Sequence, residues 1–534
     1  MTGTGLARDL ALRGIPSVLV EKRDINAGAS GGNHGLLHSG ARYIFSDPAA
    51  ASECRRESLL LKKLAPHCIE DTGGLFIAVA GDDENYIAAF PDLCSRSGVP
   101  VEELSVEEAR CREPALSSRV IAAFAVDDAT IDPFKISLEN IAHAQRLGCR
   151  LLRFHQVTGF QTRGRRIIAV HLLNKATRQE AVVEAEVVVN AAGSWAGSVA
   201  AMAGAEIPIV FSKGTLLVSQ DRYAQRVINR LRRPTDGDIV VPGGTVSILG
   251  TTSERVTSPD VIYPEVHEVD LIINESAEMI PSLANARYIR AYCGVRPLIG
   301  RQDTGDDRNV SRGYELFDHN EGADPIENFV SITGGKLTTY RLMAEKAADV
   351  VCRRLGSCRP CRTDVDPLPD TVNARWTEPG LAPSNWFHRN DPDDTLLCEC
   401  EMVPRSVVDS IVKSLRRRAG APSMKSIGLR SRIGKGPCQG TFCSQRVTAY
   451  LYDRKVLKGS QGLDELRAFL RERWRGQHPL LWDVSLAQGE MLEAMHCGLH
   501  GLELTDESPS EASPPSSDKH PDPVDVKGQQ DGSH

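Results

Sequence analysis

The chain has 534 residues, 41% hydrophobic and 25% charged, with a formal net charge of −7. Such a balance describes a multi-domain globular protein with a large core, and the acidic total excludes a chain built as a whole around nucleic-acid binding. No apolar run reaches the roughly 18 residues of a spanning helix, and no charged-then-apolar leader opens the sequence, so among its 14 cysteines metal or redox use is expected over disulfides, with ten of them read as ordinary thiols.

The opening "MTGTGLARDLALRGIPSVLVEKRD" predicts a helix over Leu6–Leu12, a stop at Gly14, a short strand over Ser17–Val20, and then Glu21. A dinucleotide-binding unit runs strand, glycine turn, helix, second strand, acidic residue. This stretch supplies the parts that come after the turn. Gly3 and Gly5 are expected where turn becomes helix, and Glu21 at the distance for a ribose hydroxyl. The first strand and first two fingerprint glycines are missing, which reads as a late start or a truncation.

Next comes "INAGASGGNHGLLHSGARY". Its glycines and small residues, Ser30 and Gly31 among them, let backbone approach phosphates or a flat ring. His34, His38, Arg42 and Tyr43 within it mark an ordered binding loop, with His34 assigned to the cofactor loop or core. Two later strands end in glycine turns, where an open α/β sheet places its ligand. They are "VVVNAAGSWA", with Asn190, Ala191 and Gly193, and "SITGGKLTTYRLMAE", with Gly334, Gly335, Lys336 and Leu337. Between them, mainly over 208–320, β-branched residues and turns predict an inserted antiparallel substrate domain. Residues 1–362 thus read as one α/β oxidoreductase domain.

Residues 363–394, rich in Pro, Asp and Trp, read as a linker. A small unit comes next over 395–452, then a helical region over 453–504. The Ser/Pro/Asp tail 505–534 is expected to be disordered. The small unit holds Cys398, Cys400, Cys438 and Cys443 as C-x-C and C-x4-C. This spacing predicts a metal centre, and iron over zinc because zinc favours C-x2-4-C pairs. Nearby glycines free backbone amides for cluster sulfurs.

The order of strand, glycine turn, helix, long insertion and late "GGK" resembles the glutathione-reductase-type flavoprotein fold. "GLLHSGARY", "TIDPF", "VVVNAAG", "GTTS", "GVRPL", "NVSRG" and "GGKLTTYRLMAE" are similar, in order, to the FAD-dependent glycerol-3-phosphate dehydrogenases. The four-cysteine unit resembles the bacterioferritin-associated-ferredoxin type of [2Fe-2S] domain, which also ends the A-type polypeptide of the anaerobic enzymes. The resemblance implies FAD on Gly3, Gly5, Glu21, Ser30, Gly31, Asn190, Ala191, Gly193, Gly334, Gly335 and Leu337, and a [2Fe-2S] cluster on the four cysteines. It implies oxidation of sn-glycerol 3-phosphate to dihydroxyacetone phosphate, with electrons leaving through the cluster toward a membrane quinone.

A phosphate dianion needs several cationic donors, and the resemblance implies that Arg42, Arg296, Arg312 and Lys336 converge on it beside Tyr43. His38 is the first candidate for the base, because imidazole titrates near working pH, and Lys336 is its rival. The implied partners are a second flavoprotein subunit, together with a membrane-anchoring iron–sulfur subunit. Through them the chain is expected on the cytoplasmic, inner face of the cell membrane. Two other readings stay open: an amino-acid or amine dehydrogenase of the same superfamily, and a non-enzymatic iron–sulfur module.

Overall fold

The computed structural model describes residues 1–300, 313–321, 324–357, 359–369, 386, 388–389, 391–417 and 422–502. The expectations for Arg312 and for the tail 505–534 fall outside these residues.

The first helix, Thr2–Leu12, buries Leu6, Ala7, Leu10 and Ala11. They seat it between the helices Pro133–Arg146 and Tyr340–Arg354. Gly5 is a packing glycine here, since a Cβ would stand 3.0 Å from the Tyr340 ring. Both Gly3 and Gly5 lie inside this helix rather than in a turn before it.

The strand Val18–Glu21 pairs in parallel with Arg150–Arg153. Val188–Asn190 pairs in parallel with Phe329–Gly334, which carries Tyr314–Asp318 antiparallel on its other edge. Parallel pairs demand covered faces, and flanking helices supply the cover. The two strand groups are not hydrogen-bonded to each other among the described residues. The first turn of the first helix lies between them: a Cβ on Gly3 would meet Leu19 at 3.4 Å and Ala191 at 3.8 Å.

A nine-stranded sheet forms the second layer. Residues 209–299 supply six of its strands, with Ile209–Ser219 and Tyr288–Ile299 antiparallel along their length. It also recruits Gly74–Val79, Glu102–Leu104 and Val120–Val126, joined through the parallel pair Val227–Arg230 and Gly74–Val79. The sheet is therefore wider than the 208–320 stretch, and Tyr314–Asp318 belongs to the other layer. "GLFIAV" at 74–79 is buried at every position, but its partner is distant in sequence and leaves no local sign.

The 363–394 segment does not begin as a free linker. Leu368 is buried, its amide donates to the Leu64 carbonyl, and Arg8 Nη2 donates to the Asp366 carbonyl at 2.8 Å. Further on, the division at 452 also shifts. Val408, Ile411, Ile427, Val447, Leu451, Leu466 and Phe469 share one core, which joins the described residues on both sides of 452. Within it the helix Cys443–Asp453 packs on Gln461–Gln477. No described helix is long and apolar enough to cross a membrane.

Candidate active site and cysteine centre

The loops at the strand ends form a cradle of close backbone. Gly193, Gly334 and Gly335 hold φ values of 58°, 81° and 73°, the left-handed region that favours glycine. Asn190 donates to the Ala196 carbonyl at 2.9 Å and to Ser331 Oγ at 3.1 Å, and accepts from the Ala192 amide at 3.2 Å. All three bonds are to protein, so Asn190 shapes the turn that carries Ala191 and Gly193. Leu337 packs on the core beside Tyr340. Ser30 Oγ accepts from the Met1 nitrogen at 2.8 Å, which brings the glycine loop to the N-terminal end of the first helix. That helix end, with Gly3, Ser30 and Ala191 around it, favours an anion. Gly31 sits where a Cβ would collide with the Asn26 carbonyl. Glu21 ends its strand nearby; burial pushes its carboxyl up, and it accepts from the Arg23 amide at 2.8 Å.

The predicted alcohol-side residues converge. His38 Nε2 and the Tyr43 hydroxyl are 3.2 Å apart, and their rings meet edge to face at 5.1 Å. Lys336 Nζ stands 4.5 Å over the Tyr43 ring. The His38 amide donates to Thr338 Oγ1 at 3.1 Å, locking the histidine loop to the "GGKLTT" turn. Arg42 Nη2 pairs with buried Asp238 at 2.8 Å, while its Nη1 is buried without a partner among the described residues. Arg296 donates to the Thr252 carbonyl at 3.1 Å and to Thr251 Oγ1.

His34 joins this group, with its ring centroid 6.3 Å from that of His38. Burial pushes its imidazole down to about 3, and Arg296 and Arg42 add to the effect. The two guanidinium groups therefore flank a neutral His34. Its Nδ1 accepts from the Leu36 amide at 3.3 Å. Lys336 and Tyr43 thus lie on the His38 side of the group, and Arg42 and Arg296 on the His34 side.

The four predicted cysteines also meet. Cys398 and Cys400 sulfurs lie 3.7 Å apart, and Cys400 and Cys438 sulfurs 3.6 Å. Cys443 interacts with both Cys398 and Cys438. Sulfur–sulfur hydrogen bonds within the group hold Cys398 and Cys438 below the ordinary thiol range and Cys400 and Cys443 above it. Backbone amides of Glu401, Gly440 and Phe442 add donors. Gly436 is needed for access, because a Cβ there would stand 2.6 Å from the Cys400 sulfur. The thiols pack on one another, and no ready-made metal-ion geometry is found among the described residues.

The profile of the FAD dependent oxidoreductase family matches residues 1–350. The chain is 41% identical over 522 residues to the A-type polypeptide of the anaerobic glycerol-3-phosphate dehydrogenase of Escherichia coli (strain K12), covering 94% of this chain and 95% of that protein. The chain belongs to this family. It is also 37% identical over 528 residues to the A1-type polypeptide of the anaerobic enzyme of Haloferax volcanii, covering 93% of this chain and 88% of that one. Among solved structures, the Bacillus halodurans glycerol-3-phosphate dehydrogenase complexed with FAD aligns over 90% of this chain and 94% of its own, with a TM-score of 0.63 and 21% identity. The L-alpha-glycerophosphate oxidase of Mycoplasma pneumoniae, with FAD bound, aligns over 69% of this chain and 96% of its own, with a TM-score of 0.55 and 18% identity. The expected flavoprotein fold class is thus that of the family.

In this family member, sequence reasoning left out the supports of the site. Asp128 is buried, accepts from the Ser39 amide at 2.7 Å and from Asn229 at 3.1 Å, and so fixes the residue after His38. Asp238 orients Arg42, and Thr251 and Thr252 orient Arg296. "GTTS" contains both threonines and was the available signal; the two aspartates sit in unremarkable local sequence.

Proposed function

We propose that the chain oxidises sn-glycerol 3-phosphate to dihydroxyacetone phosphate, with FAD as the hydride acceptor. The observation that carries this is the meeting of Arg42, Arg296 and Lys336 beside His38 and Tyr43, with a buried Arg42 N–H that lacks an acceptor among the described residues. Several cations suit a phosphate dianion. FAD, when bound, supplies a two-electron acceptor for the hydride from C2. The chain holds the phosphate with Arg42, Arg296 and Lys336, and Arg312 completes the set on this reading. His38 takes the hydroxyl proton, with Tyr43 holding the imidazole in place. Lys336, beside Tyr43, is the competing base. The glycine cradle of Gly193, Gly334 and Gly335, with Glu21, Ser30 and Gly31, would hold FAD.

Cys398, Cys400, Cys438 and Cys443 would hold a [2Fe-2S] cluster, which supplies one-electron transfer when bound. The converged thiols and the amides aimed at them support this. Electrons would pass on to a membrane quinone through a second flavoprotein subunit, together with a membrane-anchoring iron–sulfur subunit. The relatives are named as single subunits, which supports such a complex, and it would place the chain on the inner face of the membrane. An amino-acid or amine dehydrogenase would clamp a single carboxylate and leave this cation set unused.

The test is competition. Inorganic phosphate should inhibit glycerol 3-phosphate oxidation competitively, and glycine should not. Inhibition by glycine with none by phosphate would favour the amino-acid reading.

A further inference from the structure

Behind the glycine loop lies a cavity of about 530 Å³ that meets the alcohol-side group at His34 and is lined by none of His38, Arg42, Arg296 and Lys336. The strand Tyr288–Ile299 serves both places. Successive side chains alternate between faces, so Arg290, Tyr292, Gly294 and Arg296 share one. Arg296 belongs to the alcohol pocket, and Arg290 and Tyr292 line the second cavity. Between them Gly32 and Gly294 touch, and a Cβ on Gly32 would stand 2.7 Å from the Gly294 Cα. The Tyr292 hydroxyl donates to the Asn33 carbonyl at 2.8 Å and closes the same wall. The opposite wall comes from the C-terminal unit: Arg432, Lys435 and Gln439 around the cysteine segment, and Arg473 on the helix Gln461–Gln477.

The polar groups of this cavity do not balance among themselves. Arg473 is only 8% exposed, and its Nε and Nη1 are buried with no hydrogen-bond partner among the described residues. Its guanidinium rests 5.0 Å from the Phe469 ring, which offers little more than a π-face. Lys435 Nζ stands 4.6 Å over Phe134 and makes no ion pair among the described residues. Burial pushes its amine down to about 8. Arg290 and Lys425 both lean on the one carboxylate of Glu472, at 3.0 Å and 3.5 Å. The other acids are engaged: Asp24 by Arg153 and Arg430, Asp132 by the Phe134 and Lys135 amides, and Glu70 by Arg222. A buried cation without an acceptor is costly, and here Arg473 faces the chamber beside the half-buried Lys435. Gln439 Oε1, also buried and unpartnered among the described residues, offers an acceptor beside them.

We propose that this cavity is a second binding site, for a small molecule whose phosphate or carboxylate group is held by Arg473 and Lys435. Gln439 would accept from a hydroxyl or N–H of the same molecule. Because one wall carries the glycine loop and the other adjoins Cys438, the ligand bridges the catalytic and cysteine units. The site shares Gly31 with the flavin cradle, but none of its anion-holding side chains is used in the reaction assigned to the alcohol side.

The test is calorimetric titration of the flavin-loaded full chain with inorganic phosphate and, in parallel, with malonate. Two classes of anion site are expected. R473M and K435M should each weaken one class by about tenfold, the loss of one charge-assisted hydrogen bond, without changing KM for glycerol 3-phosphate. R296A should remove the other class. The stronger of the two probes identifies phosphate or carboxylate as the preferred group. Should R473M fail to fold, R473K and K435M decide: R473K should bind more weakly than wild type but retain the site. Titrations of K435M and R473K that match wild type, with all anion binding lost in R296A, would overturn the proposal.

Discussion

Asp24 and Arg430 form a buried ion pair, with Arg430 Nη1 2.9 Å from Asp24 Oδ2, between the loop after Glu21 and the helix Met424–Arg430 of the cysteine unit. Arg153 approaches the same oxygen at 2.9 Å, and Ser426 Oγ donates to it at 2.7 Å. One carboxylate thus ties the end of the nucleotide-side strand pair to the unit that carries the four thiols. Breaking such a pair leaves two buried guanidinium groups without a counter-charge, at a cost of about 3–5 kcal/mol. Asp24→Asn should therefore lower the unfolding midpoint and raise hydrogen exchange over Met424–Arg430, which mass spectrometry reads directly.

The pH dependence of the same contact has a definite sign. Burial alone would raise the Asp24 carboxyl, but Arg430 and Arg153 hold it well below the usual carboxylate range. A carboxyl depressed in the folded state stabilises fully above its unfolded value of about 4, and that contribution is lost as pH falls toward the folded value. The gap in melting temperature between wild type and Asp24→Asn should be constant near neutrality and shrink in acid. A gap that widens in acid would contradict this assignment.

His38→Asn should lower kcat by about 10²–10⁴, the usual worth of a general base, and leave flavin content unchanged. Tyr43→Phe should give a smaller loss, since the ring that packs on His38 and under Lys336 remains. If Lys336 is the base instead, Lys336→Met removes the acidic limb of the pH–rate profile, where the base becomes protonated, and His38→Asn keeps it.

Arg296→Ala should raise KM by about ten- to a hundredfold, the cost of one charged hydrogen bond of about 1.5–3 kcal/mol. Flavin should stay bound, because Arg296 is held by Thr251 and Thr252 on the sheet side. Unchanged kinetics would place it outside the substrate pocket.

Cys438→Ser should abolish any iron–sulfur absorbance, since Cys438 bridges Cys400 and Cys443. Substrate-driven reduction of flavin should survive, because the thiols lie in the other unit. Visible and electron-paramagnetic spectra of the two proteins read both effects.

The sequence carried what is local. Glycine turns at strand ends, the "GLLHSGARY" loop and the paired cysteines are short motifs, and the fold brings each set together. What it did not carry is contact between distant segments. The parallel pair of Gly74–Val79 with Val227–Arg230 widens the large sheet beyond 208–320, and neither strand announces its partner. The division at 452 follows the cysteine motifs before it and the helical pattern after it, yet Leu451 and Leu466 share a core. Buried acids such as Asp24, Asp128 and Asp238 are ordinary letters in the sequence. Their roles come from the cations and amides the fold delivers to them.

Oxidation of glycerol 3-phosphate by bound flavin is read most simply from an anaerobic visible spectrum of the full chain loaded with FAD, before and after that substrate is added. The flavin band should bleach with glycerol 3-phosphate and persist with glycerol or an amino acid. Bound flavin that stays oxidised in excess glycerol 3-phosphate would contradict the assignment.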